Sequence, residues 1–363
     1  MPDQTPRPLT GARATRGAVI LLVLVMVMLS AFLMSRFIQR AGTELLADAH
    51  AADQERLRAE AYSALEVTLA VLADFRALDG GLYGPAQGWA DPLRYAGYEP
   101  AGKKIVEITF EDESGKVSLP QADQPTLQFL LEEAGLARRE AERASDALLV
   151  WMRPDYTPVV LENDVSNYER AELPHLPPQR ALEAWSELAG VEHAREYFYD
   201  ESDQPNARWH WLVANASLFA FRGVNLNSAP PAALAVAGMT ASQTVALKEH
   251  LRSSRGSGGD RYFHSAAEAD AVVGGVTGPP GRLTAEVQVL RIIVTVHDGA
   301  AVFRMSAVVA PPGGMAGVPP VAKASPPASV KPPIPRKKLD YPFRILEIQE
   351  AIAPALPPAE PVS

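Results

Sequence analysis

Four carboxylates, Asp155, Glu162, Asp164 and Glu169, stand in one short stretch, WMRPDYTPVVLENDVSNYER. Carboxylate oxygens are the ligands that hard divalent cations prefer, so this stretch is the candidate metal-ligating segment. Arg153 opposes that chemistry, because a fixed cation repels a second one. The competing reading is a solvated acidic loop, and it is the stronger of the two. Asn225 and Asn227, in GVNLNSAPPAALAVAGMTASQTVALKEHLRSS, suit turn and capping hydrogen bonds. Trp209-His210-Trp211 is an aromatic cluster that reads as core packing rather than as a ligand site. The chain has no cysteine, which excludes disulfides, thiolate metal sites and cysteine nucleophiles. G-x-S-x-G, H-E-x-x-H and P-loop patterns do not occur, and the seven histidines are scattered. The glycines of RGSGGD lack a strand-helix context and read as a flexible loop. Residue types and spacing therefore point away from catalysis.

The elements that hold these groups follow from hydropathy. Ala18 to Met34 carries no charge, is preceded by Arg7, Arg13 and Arg16, and sits at the short limit for crossing ~30 Å of hydrocarbon. The arginines mark the side that stays in the cytoplasm. No A-x-A cleavage site follows. The chain continues instead as an amphipathic helix in which Leu57, Ala61, Leu65, Leu69 and Leu72 share one face, with Arg56 and Glu60 as an i,i+4 pair and Gly42 as the sole break. The pattern predicts one helix from about Ala18 to Leu78, ~90 Å long at 1.5 Å per residue.

After a Gly- and Pro-rich loop, Val106, Ile108 and Phe110 alternate with Glu107 and Thr109 as a half-buried strand. Ser114-Gly115 then predicts a turn into a second strand at Val117 to Leu119. QPTLQFLLEEAGL, ASDALLVWM and PQRALEAWSELAGV carry helical apolar faces. Leu234, Val236 and Val245 are expected to pack two short helices that bend at Gly238. TAEVQVLRIIVTVHDGAAVFRMSAVVA reads as two strands joined at His297-Asp298-Gly299. Pro311 to Arg336 is Pro-rich, YPFRILEIQE is a last edge strand, and the tail after Pro354 reads as disordered. The 363 residues have room for two or three compact units, and the net charge of -9 argues against broad attraction to nucleic acid.

Basic residues, then Gly17, then an apolar run that starts at Ala18 and flows into a long helix resemble a type IV prepilin leader. The resemblance implies that a membrane prepilin peptidase cuts between Gly17 and Ala18 and methylates Ala18. The run would first span the membrane and later pack in a fibre core. Major pilins carry Glu at the fifth mature position, which is Leu22 here. The subfamily without it is the K-type minor pseudopilin of type II secretion systems (general secretion pathway protein K). FEDESGKVSL resembles that subfamily's D-x-S-G-K hairpin, with Ser118 in place of an Asn. Gly223 to Ser254 resembles a helix-hairpin-helix unit of the N-x-N-T-A type, continued by YFHSAAEADAVVGG.

The fold implied is α+β: a long N-terminal helix packed on a small antiparallel, pilin-like sheet, with a large inserted all-helical domain that contains the helix-hairpin-helix unit. The domain expectation is a leader at 1–17, a transmembrane and fibre-core helix at 18–40, and pilin-like structure at 41–119. An inserted helical domain follows at 120–275, then pilin-like strands at 276–310, a Pro-rich linker at 311–338, a last strand at 339–353 and a disordered tail at 354–363. In the resembled family a comparable acidic loop holds calcium, which would make Asp155, Glu162, Asp164 and Glu169 its ligands. Arg153 stands where that family usually has Asp. The implied partners are other minor pseudopilins, the inner-membrane assembly platform and the prepilin peptidase, with no nucleic acid. The implied place is the bacterial inner membrane, crossed once, with the C-terminal part in the periplasm. There the chain would initiate and cap a pseudopilus tip that serves export of folded proteins. The rivals are a membrane-anchored helix-hairpin-helix DNA-binding protein of the competence type and a pilin-like adhesin. Against the first stands the hairpin Gly238-Met239-Thr240, which lacks the second glycine that brings backbone amides close to phosphate.

Overall fold

A computed structural model describes residues 14–161, 176–253, 262–276, 282–299, 301–312 and 342–350. Most of the Pro-rich stretch, the C-terminal tail and the loop RGSGGD lie outside them, as do Glu162, Asp164 and Glu169. The chain divides into two units, Met1–Ala59 and Glu60–Ser363. Helix α1 spans Ala14–Asp79, 66 residues, and runs through Gly42 without a break.

Within the second unit, Ala61, Ala64, Leu65, Leu69 and Leu72 are buried, at the three- and four-residue spacing that places them on one helix face. Each buried leucine stabilises the unit by roughly 1.5–3 kcal/mol. The expected Arg56–Glu60 pair does not form. Arg56 meets Asp53 at 3.5 Å, and Glu60 meets Lys104 at 3.1 Å. Glu60 is buried, so a fixed lysine from a neighbouring segment satisfies it where a mobile surface arginine would not.

Four strands follow the chain: β1 Ile105–Asp112, β2 Leu290–Asp298, β3 Ala301–Ala310 and β4 Arg344–Glu350. They form one antiparallel sheet in that order. Register places Phe110 opposite Ile292 and Ile108 opposite Val294, with Met305 and Ala307 beyond them on the same face. Trp89, fully buried, meets Phe110 edge-on with ring centroids 4.9 Å apart. Tyr62 on α1 donates to the Glu350 carboxylate at 2.7 Å and so ties the helix to β4. On the opposite face Phe219, Phe221, Val289 and Val308 cluster, with the Arg291 guanidinium over the Phe219 ring.

The expected hairpin of β1 with Val117 to Leu119 is corrected. β1 pairs with β2, and Val117–Ser118 pairs in parallel with Ala216–Ser217. The Asp112 carboxylate accepts from the Ser114 N–H at 2.9 Å and curls Glu113–Gly115 into a 3-10 turn that leaves the sheet. A Cβ at Gly115 would stand 2.5 Å from Ser228 Oγ, so only glycine lets the chain pass there.

Among the described residues, the remaining helices of six residues or more are α2 Gln124–Glu133, α3 Arg138–Met152, α4 Ala207–Asn215, α5 Pro231–Val236, α6 Ala241–Ser253 and α7 Ala266–Val273. Leu127, Leu130, Leu148, Leu188, Phe198, Leu212 and Leu234 share their core, and that core continues into Tyr83 and Val117. The helix expected over PQRALEAWSELAGV shrinks to a 3-10 segment at Trp185–Gly190. The Glu187 carboxylate accepts from the Glu183 and Ala184 amides at 3.0 and 3.2 Å, which starts the turn there. Pro177 and Pro178 disfavour a helix just before it. Trp209 and Trp211 pack against the core as expected.

Candidate assembly surface

Unit Met1–Ala59 carries the apolar part of α1. Val19–Leu45, 27 residues, is long and apolar enough to cross a membrane, and none of it is buried. Leu22, the position where a carboxylate would be expected in a major pilin, is 62% exposed along with its neighbours. A helix apolar on all sides needs lipid or other apolar helices around it. Arg36 is the first charge after the uncharged run Ala18 to Met34 and lies over the Phe32 ring. Gly17 and Ala18 fall near the start of α1.

In the second unit a buried polar hub joins the sheet to the helices. The Asp112 carboxylate accepts from Asn225 Nδ2 at 2.7 Å and from the hydroxyls of Ser114 and Ser228. Burial pushes its carboxyl above the usual carboxylate range, and these donors work against that without cancelling it. Asn225, fully buried, also donates to the Tyr83 carbonyl at 3.1 Å. Asn227 donates to the carbonyls of Phe263 and Ala285 at 3.0 and 2.8 Å and accepts from the Phe263 N–H at 2.8 Å. The two asparagines therefore staple segments far apart in sequence, beyond the local caps that spacing alone suggests. Alternation with buried Val224 and Leu226 was the available signal, since amides in a core must find partners.

Next to the hub lies an ion network. Glu113 meets Arg291 at 2.7 Å and Lys116 at 3.5 Å, and Arg291 reaches Glu347 at 3.6 Å. Burial raises Glu113, but Lys116 and Arg291 outweigh it and hold the carboxyl below its ordinary value. A second ionic site fixes the loop after α1. Burial acts to raise Glu60, and donors from Tyr98, Lys104 and Ala101 prevail and lower it. Burial and then the Glu60 carboxylate push Tyr98 up to about 12.

Of the four acidic loop residues the structure describes Asp155, which is exposed. Glu162, Asp164 and Glu169 lie outside the described residues. Among those described, no three acidic or histidine side chains converge on one point. The Arg153 guanidinium donates to the carbonyls of Ala122 and Pro120, at 2.6 and 3.3 Å. Sequence reading missed Asp146, a fully buried carboxylate on α3. It accepts from the amides of Val159, Val160 and Leu161, at 2.8, 2.6 and 3.2 Å, and from the Tyr156 hydroxyl. Burial and this carboxylate push the Tyr156 phenol up. A charge amid Ala144, Ala147 and Leu148 was the clue.

The stretch that resembles a helix-hairpin-helix unit forms α5, α6 and the bend between them. Gly238 has φ 99°, the left-handed region that glycine adopts without cost. All three bend amides are spent internally. Gly238 donates to the Ala235 carbonyl at 2.9 Å, Met239 to the Leu234 carbonyl at 3.0 Å, and Thr240 to Gln243 Oε1 at 2.9 Å. A hairpin that contacts phosphate needs such amides free. Leu234 and Val236 are buried as expected, but Val245 is 64% exposed, because α6 turns that face outward. α7 is capped by Ser265, which accepts from the Glu268 amide at 3.3 Å, while Glu268 accepts from the His264 amide at 2.8 Å.

No family model matches the sequence. No curated protein matches it either. Among solved structures, the chain is similar to one chain of the GspK-GspI-GspJ complex from the type 2 secretion system of enterotoxigenic Escherichia coli. The TM-score is 0.57 at 12% sequence identity, over 85% of this chain and 99% of that one. The chain thus shares that fold: a long N-terminal helix, a small antiparallel sheet and a helical remainder.

Proposed function

We propose that the chain is a K-type minor pseudopilin, which acts by assembly rather than by turnover. The observation that supports this best is the fold likeness over most of both chains, joined to an apolar helix at the N-terminus. In this reading Gly17 and Ala18 flank the processing site, 18–40 crosses the inner membrane and later enters a fibre core, and the rest faces the periplasm. Residues 120–275 are the inserted helical head. The GspK-GspI-GspJ complex contains three proteins. By analogy the partners here are other minor pseudopilins and the inner-membrane assembly platform, and the place is the pseudopilus tip. Calcium at Asp155, Glu162, Asp164 and Glu169 belongs to the same resemblance and enters no step.

Leu65 and Leu69 are 3% and 2% exposed, so that face of α1 is used inside the monomer. The assembly face in this segment is the outer stripe of Ser63, Glu66, Ala70, Asp74 and Ala77, all exposed at helical spacing. The test uses cysteines introduced into a chain that has none. Ala70→Cys is expected to form disulfide crosslinks with cysteines on the helices of co-expressed minor pseudopilins. A cysteine at Phe129, exposed on the helical block, is expected to form none. Crosslinks of a second subunit to Phe129→Cys would remove the tip assignment. No crosslink at Ala70→Cys would remove the outer stripe as the assembly face.

A further inference from the structure

Helices α5 and α6 leave an open groove of about 1010 Å3 between them, lined also by Glu133 of α2. Its apolar lining comes from Pro231, Ala232, Ala235, Ala241 and Val245, with Met239 almost fully buried. Alanines keep the floor low and let another backbone approach closely. Val245 is a large aliphatic side chain left 64% exposed where a buried one would be expected.

Along α6 the apolar stripe ends in two cations, Lys248 and Arg252, one helical turn apart. Like charges at that spacing repel. Lys248 Nζ donates to the Ala229 carbonyl. Among the described residues neither cation forms an ion pair, although Glu133 and Glu249 line the same groove. The chain carries 43 acidic against 34 basic residues, so carboxylates were available to neutralise them. Burial lowers the Lys248 ammonium, and the Arg252 charge lowers it further. A carboxylate supplied from outside relieves that repulsion.

We propose that the groove between α5 and α6 is a docking site for a polypeptide segment of another protein, apolar on the side that meets Val245 and Ala235 and carrying a carboxylate that meets Lys248 and Arg252. Duplex DNA shares the negative charge but not the apolar side, and the bend amides that would hold its phosphates are already bonded within the chain. The inference rests on the groove and its charges and stands apart from the pseudopilin reading.

The test uses the full chain in phosphatidylcholine nanodiscs and fluorescence anisotropy. The probes are two labelled amphipathic peptides of about five helical turns, with one leucine stripe and either glutamates or lysines beside it, and a labelled DNA duplex. The glutamate peptide is expected to bind about tenfold tighter than the lysine peptide, a difference that charge complementarity supplies. Arg252→Glu, at an exposed position, is expected to abolish that preference, and Val245→Glu to abolish binding of the glutamate peptide. Unchanged melting of both variants separates lost docking from lost fold, and Arg252→Gln repeats the charge test if Arg252→Glu melts early. Equal binding of the two peptides, no binding of either, or binding indifferent to Val245→Glu overturns the proposal. Duplex binding that Arg252→Glu removes would overturn it in favour of nucleic acid.

Discussion

Replacing Asn225 with leucine is expected to cost about 4 kcal/mol of folding stability and to lower Tm by about 10 °C. The buried Asp112 carboxylate loses its 2.7 Å amide donor, and the Tyr83 carbonyl and Asn227 amide lose partners in the same step. Leucine keeps the branched skeleton but is bulkier, so no cavity opens, and the loss of polar partners is joined by overpacking. Asp112 gives this penalty its pH dependence. Its folded pKa is raised, so its contribution to stability declines as pH rises from the unfolded value near 3.8 through the folded one. Removing a donor raises that pKa further, and the penalty is therefore larger at pH 7 than at pH 4. Thermal unfolding of the purified full chain at both pH values checks this. A loss below about 1 kcal/mol at pH 7 would show that the hub is not what joins sheet and helices.

The second large effect lies on α1. Leu69→Glu is expected to leave no folded protein, with a cost above about 5 kcal/mol, comparable to the whole stability of a domain. The side chain is 2% exposed, and a carboxylate buried there without a partner carries a large desolvation cost. The next residue faces the other way, and Ala70→Glu is expected to change stability by less than about 0.5 kcal/mol. Protease resistance and soluble yield of the two variants, made side by side, decide it. A folded Leu69→Glu would mean that α1 is not packed through this face.

Local pattern carried most of the architecture. The three- and four-residue spacing of Ala61, Leu65, Leu69 and Leu72 states which face of α1 is buried, and Asp298-Gly299 states where β2 turns into β3. Period-two alternation marks β1 as a strand but says nothing of its neighbour. The pairing with β2 joins residues about 180 positions apart, and only the Asp112 cap, which bends the chain out of the sheet, rules out the local hairpin. PQRALEAWSELAGV carries a helical apolar pattern, yet Glu187 and the preceding prolines confine the turn to its second half. Asn225, Asn227 and Asp146 were legible only as polar residues in apolar company, because the asparagines find partners in distant segments and Asp146 in the loop that follows its own helix. Val245 fits the apolar period of α6 and still faces outward, since periodicity names a face and not what covers it.

The central claim, that this chain is processed and assembled as a pseudopilin, is tested most directly by the mass of its mature N-terminus. Full-length protein, expressed with its native prepilin peptidase and purified from membranes, is measured intact and after proteolysis. The account predicts a chain that begins at Ala18, N-methylated, with residues 1–17 removed and the apolar run Ala18 to Met34 retained. An intact leader, or a cut after the apolar run near Ala41, would contradict it.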